Sequence, residues 1–235
     1  MTQQAVILFS AGLDCTVSLA LAREQGLQLA LGLVFDYGQQ AAEAEWRQAQ
    51  VLARHFDLPL QRLALPWLGE ITETALAKGS QQALPEVSVA ELDSIATVTL
   101  ASAQKVWVPN RNGLLINIAA AFADRYGYQA ILTGFNAEEA ATFPDNTPQF
   151  AEAATRALAF STQVQPRVSS YVQHLNKVEI VGEALRLKLP LTALWSCYRD
   201  GERHCGRCES CSRLKRALQA QRCESEYKEI FGADA

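Results

Sequence analysis

Four cysteines, Cys197, Cys205, Cys208 and Cys211, stand in SCYRDGERHCGRCESC with the spacing Cx7CxxCxxC. Four thiolates complete the tetrahedral shell of one zinc ion, and the CxxC steps are short enough for tight turns to aim their sulfurs at one point. A shell filled by protein leaves no position for a substrate, so the expected metal is structural, one Zn2+ per chain. Disulfide pairing is the competing reading, and nothing in the sequence points to the oxidising compartment it requires.

The opposite end of the chain holds the second pattern, AVILFSAGLDCTVSLALAREQG. An apolar run over 5–9 breaks into Ser10, Ala11, Gly12, Leu13, Asp14, Cys15 and Thr16, followed by helical spacing. Strand, small-residue loop and helix in that order let backbone N–H groups and the positive end of the helix dipole meet an anion, and a polyphosphate is the natural guest. The string is neither GxxxxGK[ST], having no lysine after the glycine, nor GxGxxG.

It resembles instead the SGGxDS[ST] loop of the PP-loop ATPases, which cleave ATP between its α- and β-phosphates. Ala11 stands where that loop has glycine and Cys15 where it has serine. Alanine resists positive φ, and a thiol donates a weaker hydrogen bond than a hydroxyl.

The elements that must position these residues follow from periodicity. Strands are expected over 5–9, 29–35 and about 60–65, with helices from about 14 to 24 and from about 41 to 56. The runs over 29–35 and 130–133 are apolar almost throughout, as a parallel sheet covered on both faces requires. The expected fold is therefore α/β, a Rossmann-like parallel sheet with helices on both faces and a small C-terminal zinc-binding segment, divided at 1–190 and 191–235. In such sheets ligands sit beyond the strand C-termini, here 10–14, 36–38 and 134–136. Pro109 and Asn110 punctuate the start of a long helix ending near Gly127; further helices are expected over 177–188 and in LKRALQAQ. The stretch 78–105 loses periodicity and reads as a surface excursion.

The 235 residues are 49% hydrophobic and 20% charged, with a net charge of −4, the profile of a globular protein without a basic field for a long nucleic-acid backbone. The N-terminal MTQQAVILFS lacks a basic signal region and no run is long enough to cross a bilayer, so a cytoplasmic location with no membrane partner is expected.

FSAGLDCT, DYGQ, VPNRN, GFNAEEAATFPD, LNKVEIV and WSCYRDGERHCGRCESC, in this order over most of the chain, resemble the QueC family of 7-cyano-7-deazaguanine (preQ0) synthases. The resemblance implies a homodimeric, zinc-containing ligase of queuosine biosynthesis that uses ATP with Mg2+ to convert 7-carboxy-7-deazaguanine and ammonia into a nitrile. It places ATP at Phe9, Ser10, Ala11, Gly12, Leu13, Asp14, Cys15, Thr16, Tyr37 and Lys177, with Leu13 a packing residue. Catalytic roles fall to Asp14, Lys177 and Arg111. Asn110 and Arg111 precede a helix, where a guanidinium suits a carboxylate or phosphate. Glu138, Glu139 and Asp145 surround Phe143, a composition suited to a guanine-like base; which carboxylate reads it stays open at this point. The chain departs from the family at Phe143, Asn146 and Thr147, and at Gln40-Ala41 where relatives carry a basic residue and a histidine.

Competing readings are an RNA-modifying PP-loop enzyme such as a thiouridine synthase or lysidine synthetase, a paralogue acting on a related deazaguanine, a nucleotide-binding protein without turnover, and a zinc-ribbon module. The acidic balance weighs against direct tRNA binding, and a zinc-ribbon module leaves the N-terminal loop without a purpose.

Overall fold

The structure, a computed structural model, describes residues 3–93 and 98–232. Five strands, β1 (Gln4–Leu8), β2 (Gln28–Asp36), β3 (Leu60–Ala64), β4 (Ala130–Leu132) and β5 (Arg167–Ser169), form one sheet in the order β3-β2-β1-β4-β5. Every neighbouring pair is parallel. The helices are α1 (Leu13–Glu24), α2 (Ala42–Phe56), α3 (Pro66–Glu70), α4 (Val98–Val106), α5 (Arg111–Tyr126), α6 (Ala137–Ala140), α7 (Pro148–Ser161), α8 (Lys177–Arg186), α9 (Glu209–Ala220) and α10 (Glu224–Phe231).

The two-residue period of β1 sorts its side chains into two cores. Ala5 and Ile7 pack with Leu19 of α1, Leu52 of α2, Ile180 of α8 and Leu214 of α9. Val6 faces the other way, among Ile116 of α5 and Leu158 of α7. Both faces of the sheet are thus covered, which is why its central strands read as unbroken apolar runs.

The first core does not stop at residue 190: Trp195, Cys197, Cys208 and Cys211 belong to it. The cysteine segment is also bonded to the N-terminal loop, since the Trp195 N–H donates to the Ala11 carbonyl at 2.9 Å. The described part of 78–105 packs on that segment from outside, through Glu209 N–H to the Pro85 carbonyl (3.3 Å) and a bridge between Glu86 and Cys208; residues 94–97 lie outside the described residues. No helix among the described residues is long and apolar enough to cross a membrane.

Candidate active site and thiolate centre

The loops after β1, β2 and β4 open into one cleft of about 310 Å3. Phe9, Ser10, Gly12, Leu13, Asp14, Cys15, Tyr37, Arg111, Glu139, Phe143, Asp145 and Lys177 line it; Ala11, Thr16, Asn110 and Glu138 do not.

Helix α1 starts at Leu13 with Gly12 as its N-cap and no side chain capping it, so its first N–H groups are left without intrahelical partners. Ala11, fully buried, takes φ 59°, the left-handed conformation that glycine adopts at no steric cost. The loop is held close against β4: a Cβ on Gly134 would lie 2.6 Å from the Cys15 backbone nitrogen. The Cys15 thiol, 3.3 Å from the Gly12 carbonyl and 3.5 Å from Ser10 Oγ, is spent inside the loop.

Lys177 opens α8, whose N-terminus is fixed by a capping box between Asn176 and Glu179. Its buried ammonium donates to Asp14 Oδ2 and, at 2.9 Å, to Glu139 Oε1. Burial opposes that charge, but the two carboxylates outweigh it and hold Lys177 above the usual lysine range. One cation between two anions leaves one of them under-compensated. Asp14 takes the cost, burial pushing its pKa up to about 6 against the pull of Lys177. Its Oδ1 is buried without a hydrogen-bond partner, and so is Thr16 Oγ1.

Glu138 and Glu139, adjacent on the four-residue α6, part company. Glu139 faces the cleft, whereas Glu138 turns to α9: its Oε1 accepts from Arg213 and Arg216, both at 2.5 Å, and its Oε2 from the Lys177 N–H at 3.2 Å. Arg213 also holds Glu209 at 2.6 Å. Helix α9, which carries Cys211, is thereby tied to the residue that begins α8.

Across the cleft, Arg111 Nη1 donates to the Tyr37 hydroxyl at 3.2 Å, and Asp145 accepts from Asn146 at 3.2 Å. Burial raises the Asp145 pKa against the pull of Arg111. Asn110 is exposed, in a left-handed turn at the N-cap of α5; Asn112, two residues on and buried, lines the cleft in its stead. Sequence reading missed Glu45, Asn112, Trp107 and Tyr198, all of which line the cleft. Trp107 lies nearly parallel to Phe143, interplanar angle 9° and centroids 6.4 Å apart. The signal available for Trp107 was its place one residue before VPNRN.

The four cysteine sulfurs lie within 4.8 Å of one another. Tetrahedral zinc with Zn–S near 2.3 Å sets its sulfurs about 3.8 Å apart; Cys205 and Cys211 are at 3.9 Å. Backbone N–H groups of Arg199, Cys205 and Cys208 point at these sulfurs at 3.4 Å, the pattern that stabilises thiolates. All six cysteines are free, and the cluster can hold a metal ion.

The class so defined is a parallel α/β protein with its cleft at the strand C-termini, beside a four-cysteine cluster that can hold a metal ion. A family model described as "Queuosine biosynthesis protein QueC" matches residues 4–222, and the chain belongs to this family. It is 49% identical to the 7-cyano-7-deazaguanine synthase of Desulforamulus reducens over 92% of this chain and 93% of the relative. The enzyme of the same name from Pelotomaculum thermopropionicum is also 49% identical, over 92% and 96%, and that from Carboxydothermus hydrogenoformans 46%, over 92% and 98%.

Proposed function

We propose that the chain is an ATP-dependent carbon–nitrogen ligase that converts 7-carboxy-7-deazaguanine and ammonia into 7-cyano-7-deazaguanine (preQ0) for queuosine biosynthesis. The observation that carries this reading is the convergence, in one cleft, of the uncapped α1 N-terminus, the Lys177 ammonium and the orphaned Asp14 Oδ1. That is a site for pyrophosphate and its counter-ion.

A carboxylate resists ammonia because its oxygens are poor leaving groups, and adenylation supplies a good one. Residues 10–16 cradle the departing pyrophosphate; Lys177 meets its charge, and Phe9 and Tyr37 border the nucleotide. Mg2+ would be held by Asp14, whose unpartnered oxygen fits a cation, and would neutralise charge on the phosphates. Arg111, beside Tyr37, orients the substrate carboxylate.

Among the three candidate readers of the base, Glu138 and Glu139 are already engaged by Arg213, Arg216 and Lys177. Asp145 has no such ion pair among the described residues and stands two positions from Phe143, so it takes the N1–H and 2-amino donors of the guanine-like ring while Phe143 covers its face. Asn110 shapes the turn that presents Arg111. Residues 1–190 supply catalysis and 191–235 a structural zinc site. The enzyme works as a cytoplasmic homodimer, without direct tRNA binding.

Release of AMP and pyrophosphate, dependent on 7-carboxy-7-deazaguanine and indifferent to added tRNA, is the expected behaviour. ADP as product, or turnover only with tRNA, overturns the proposal.

A further inference from the structure

Ammonia at neutral pH is mostly ammonium, so the amide-forming step needs a place for a small cation and an acceptor for its proton. No histidine lines the cleft among the described residues, and most of its carboxylates are occupied. Asp14 and Glu139 share Lys177, and Glu209 is held by Arg213. Asp145 lies beside Phe143, where the base is placed.

Glu45 of α2 is different. It lines the cleft, forms no ion pair among the described residues, and its one hydrogen-bond partner there is neutral: Gln39 Nε2 donates to Oε2 at 2.8 Å. The same nitrogen donates to the Phe35 carbonyl at 2.8 Å, and Gln39 Oε1 accepts the Tyr37 N–H at 2.9 Å. Both amide hydrogens and the oxygen of this buried glutamine are spent on protein, so Gln39 acts as a clamp that sets the carboxylate and leaves Oε1 for the cleft.

We infer that Glu45 binds the ammonium ion and serves as general base for amide formation, with Gln39 as its positioning residue. The inference rests on the ligase reading above. Ammonium gives one proton to Glu45; the freed lone pair forms the C–N bond at the carbonyl carbon of the acyl adenylate. The bond from that carbon to the phosphate oxygen breaks, its electron pair leaving with AMP. A second proton then leaves nitrogen for solvent, so acyl adenylate and ammonium yield amide, AMP and two protons. Burial moves the Glu45 pKa up to about 7, against Gln39 and Arg111 and reinforced by Asp36; Tyr37 also faces it and is itself raised by burial. A base in that range is matched to the operating pH.

The test separates the two half-reactions in the full-length, metal-loaded protein. Exchange of labelled pyrophosphate into ATP, with 7-carboxy-7-deazaguanine and no ammonium, reports adenylation alone. Glu45→Gln should keep that exchange within about twofold of wild type while kcat/KM for ammonium at pH 7 falls about 100-fold. The deficit should narrow toward pH 9 as free ammonia increases, and Glu45→Asp should fall between the two. Exchange and amide formation dropping together, or an unchanged kcat/KM for ammonium, overturns the assignment. Absence of exchange in wild type overturns the ligase reading first, and this inference with it.

Discussion

The two walls of the cleft are built on opposite principles. On the wall formed by α6, α8, α9 and the start of α1, each carboxylate meets a cation: Asp14 and Glu139 meet Lys177, Glu138 meets Arg213 and Arg216, and Glu209 meets Arg213. On the wall formed by the end of β2, α2, α5 and residues 142–146, Glu45 and Asp145 have amide partners, and Arg111 has a phenol. Buried ion pairs add little net stability but resist being broken, because the surviving charge is stranded. The first wall is therefore fixed before substrate arrives. The second keeps groups whose charge is met by ligand, as burial-raised pKa values at functional sites often signal.

The contrast is broken most severely at the thiolate centre that carries α9. Cys208→Ser should lose the metal and, since metal-binding energy in such sites is folding energy, most soluble protein. Metal analysis and a thermal melt check this; a metal-free wild type of undiminished stability would mean the cysteines do not anchor the wall.

A smaller break removes Asp14 alone. Asp14→Ala should cut ATP turnover by about 100-fold or more while the fold survives, because it deletes a cleft carboxylate whose second oxygen is buried without a hydrogen-bond partner. In the wild type, adenylation read as pyrophosphate exchange should fall as pH drops through about 6, where Asp14 protonates. Unchanged turnover in the variant would move the pyrophosphate site elsewhere.

Stability sharpens the picture from the other side. Glu45 has its folded pKa raised from 4.5 to about 7 by burial, so folding favours its neutral form. The stability this contributes is full below pH 4.5 and lost as pH rises through 7. Glu45→Gln, permanently neutral, should be more stable than wild type at pH 8 by about 1 kcal/mol, with no gain at pH 4. Melts at the two pH values decide it, and a loss at pH 8 would mean the carboxylate has a cation it depends on.

The smallest effect is expected in the loop. Ala11→Gly relieves a left-handed alanine, worth roughly 1–2 kcal/mol, but loosens the unfolded chain and removes a buried methyl. These offset to a net change under about 1 kcal/mol, with ATP turnover retained. A loss above about 2 kcal/mol would show that the methyl, not the turn, holds the loop.

What could be read from the sequence tracks how local each feature is. The strand, loop and helix around Ser10–Asp14 and the cysteine cluster are contiguous patterns, and their chemistry follows from spacing. The division of labour between Glu138 and Glu139 is not local, since it depends on Arg213 and Arg216 arriving from α9, some 75 residues later. Glu45 sits among Ala42, Ala44 and Ala49 on a helix whose charged face looks solvated until Gln39 and Arg111 close over it. Helix α7 was legible but unread: Thr147 and Pro148 are a cap and a first-turn proline, and the Thr147 hydroxyl accepts the Phe150 N–H at 3.2 Å. Helix α9 starts at Glu209, earlier than its basic stretch suggests, because Cys208 is its N-cap. Strand β5 has three residues, too few to show a period.

The central claim is the chemistry of the product. Purified protein, incubated with 7-carboxy-7-deazaguanine, ATP, Mg2+ and ammonium, should yield a product with the mass of the 7-cyano-7-deazaguanine nitrile, with AMP and pyrophosphate released alongside. Unaltered 7-carboxy-7-deazaguanine, or a product formed with release of ADP, would contradict it.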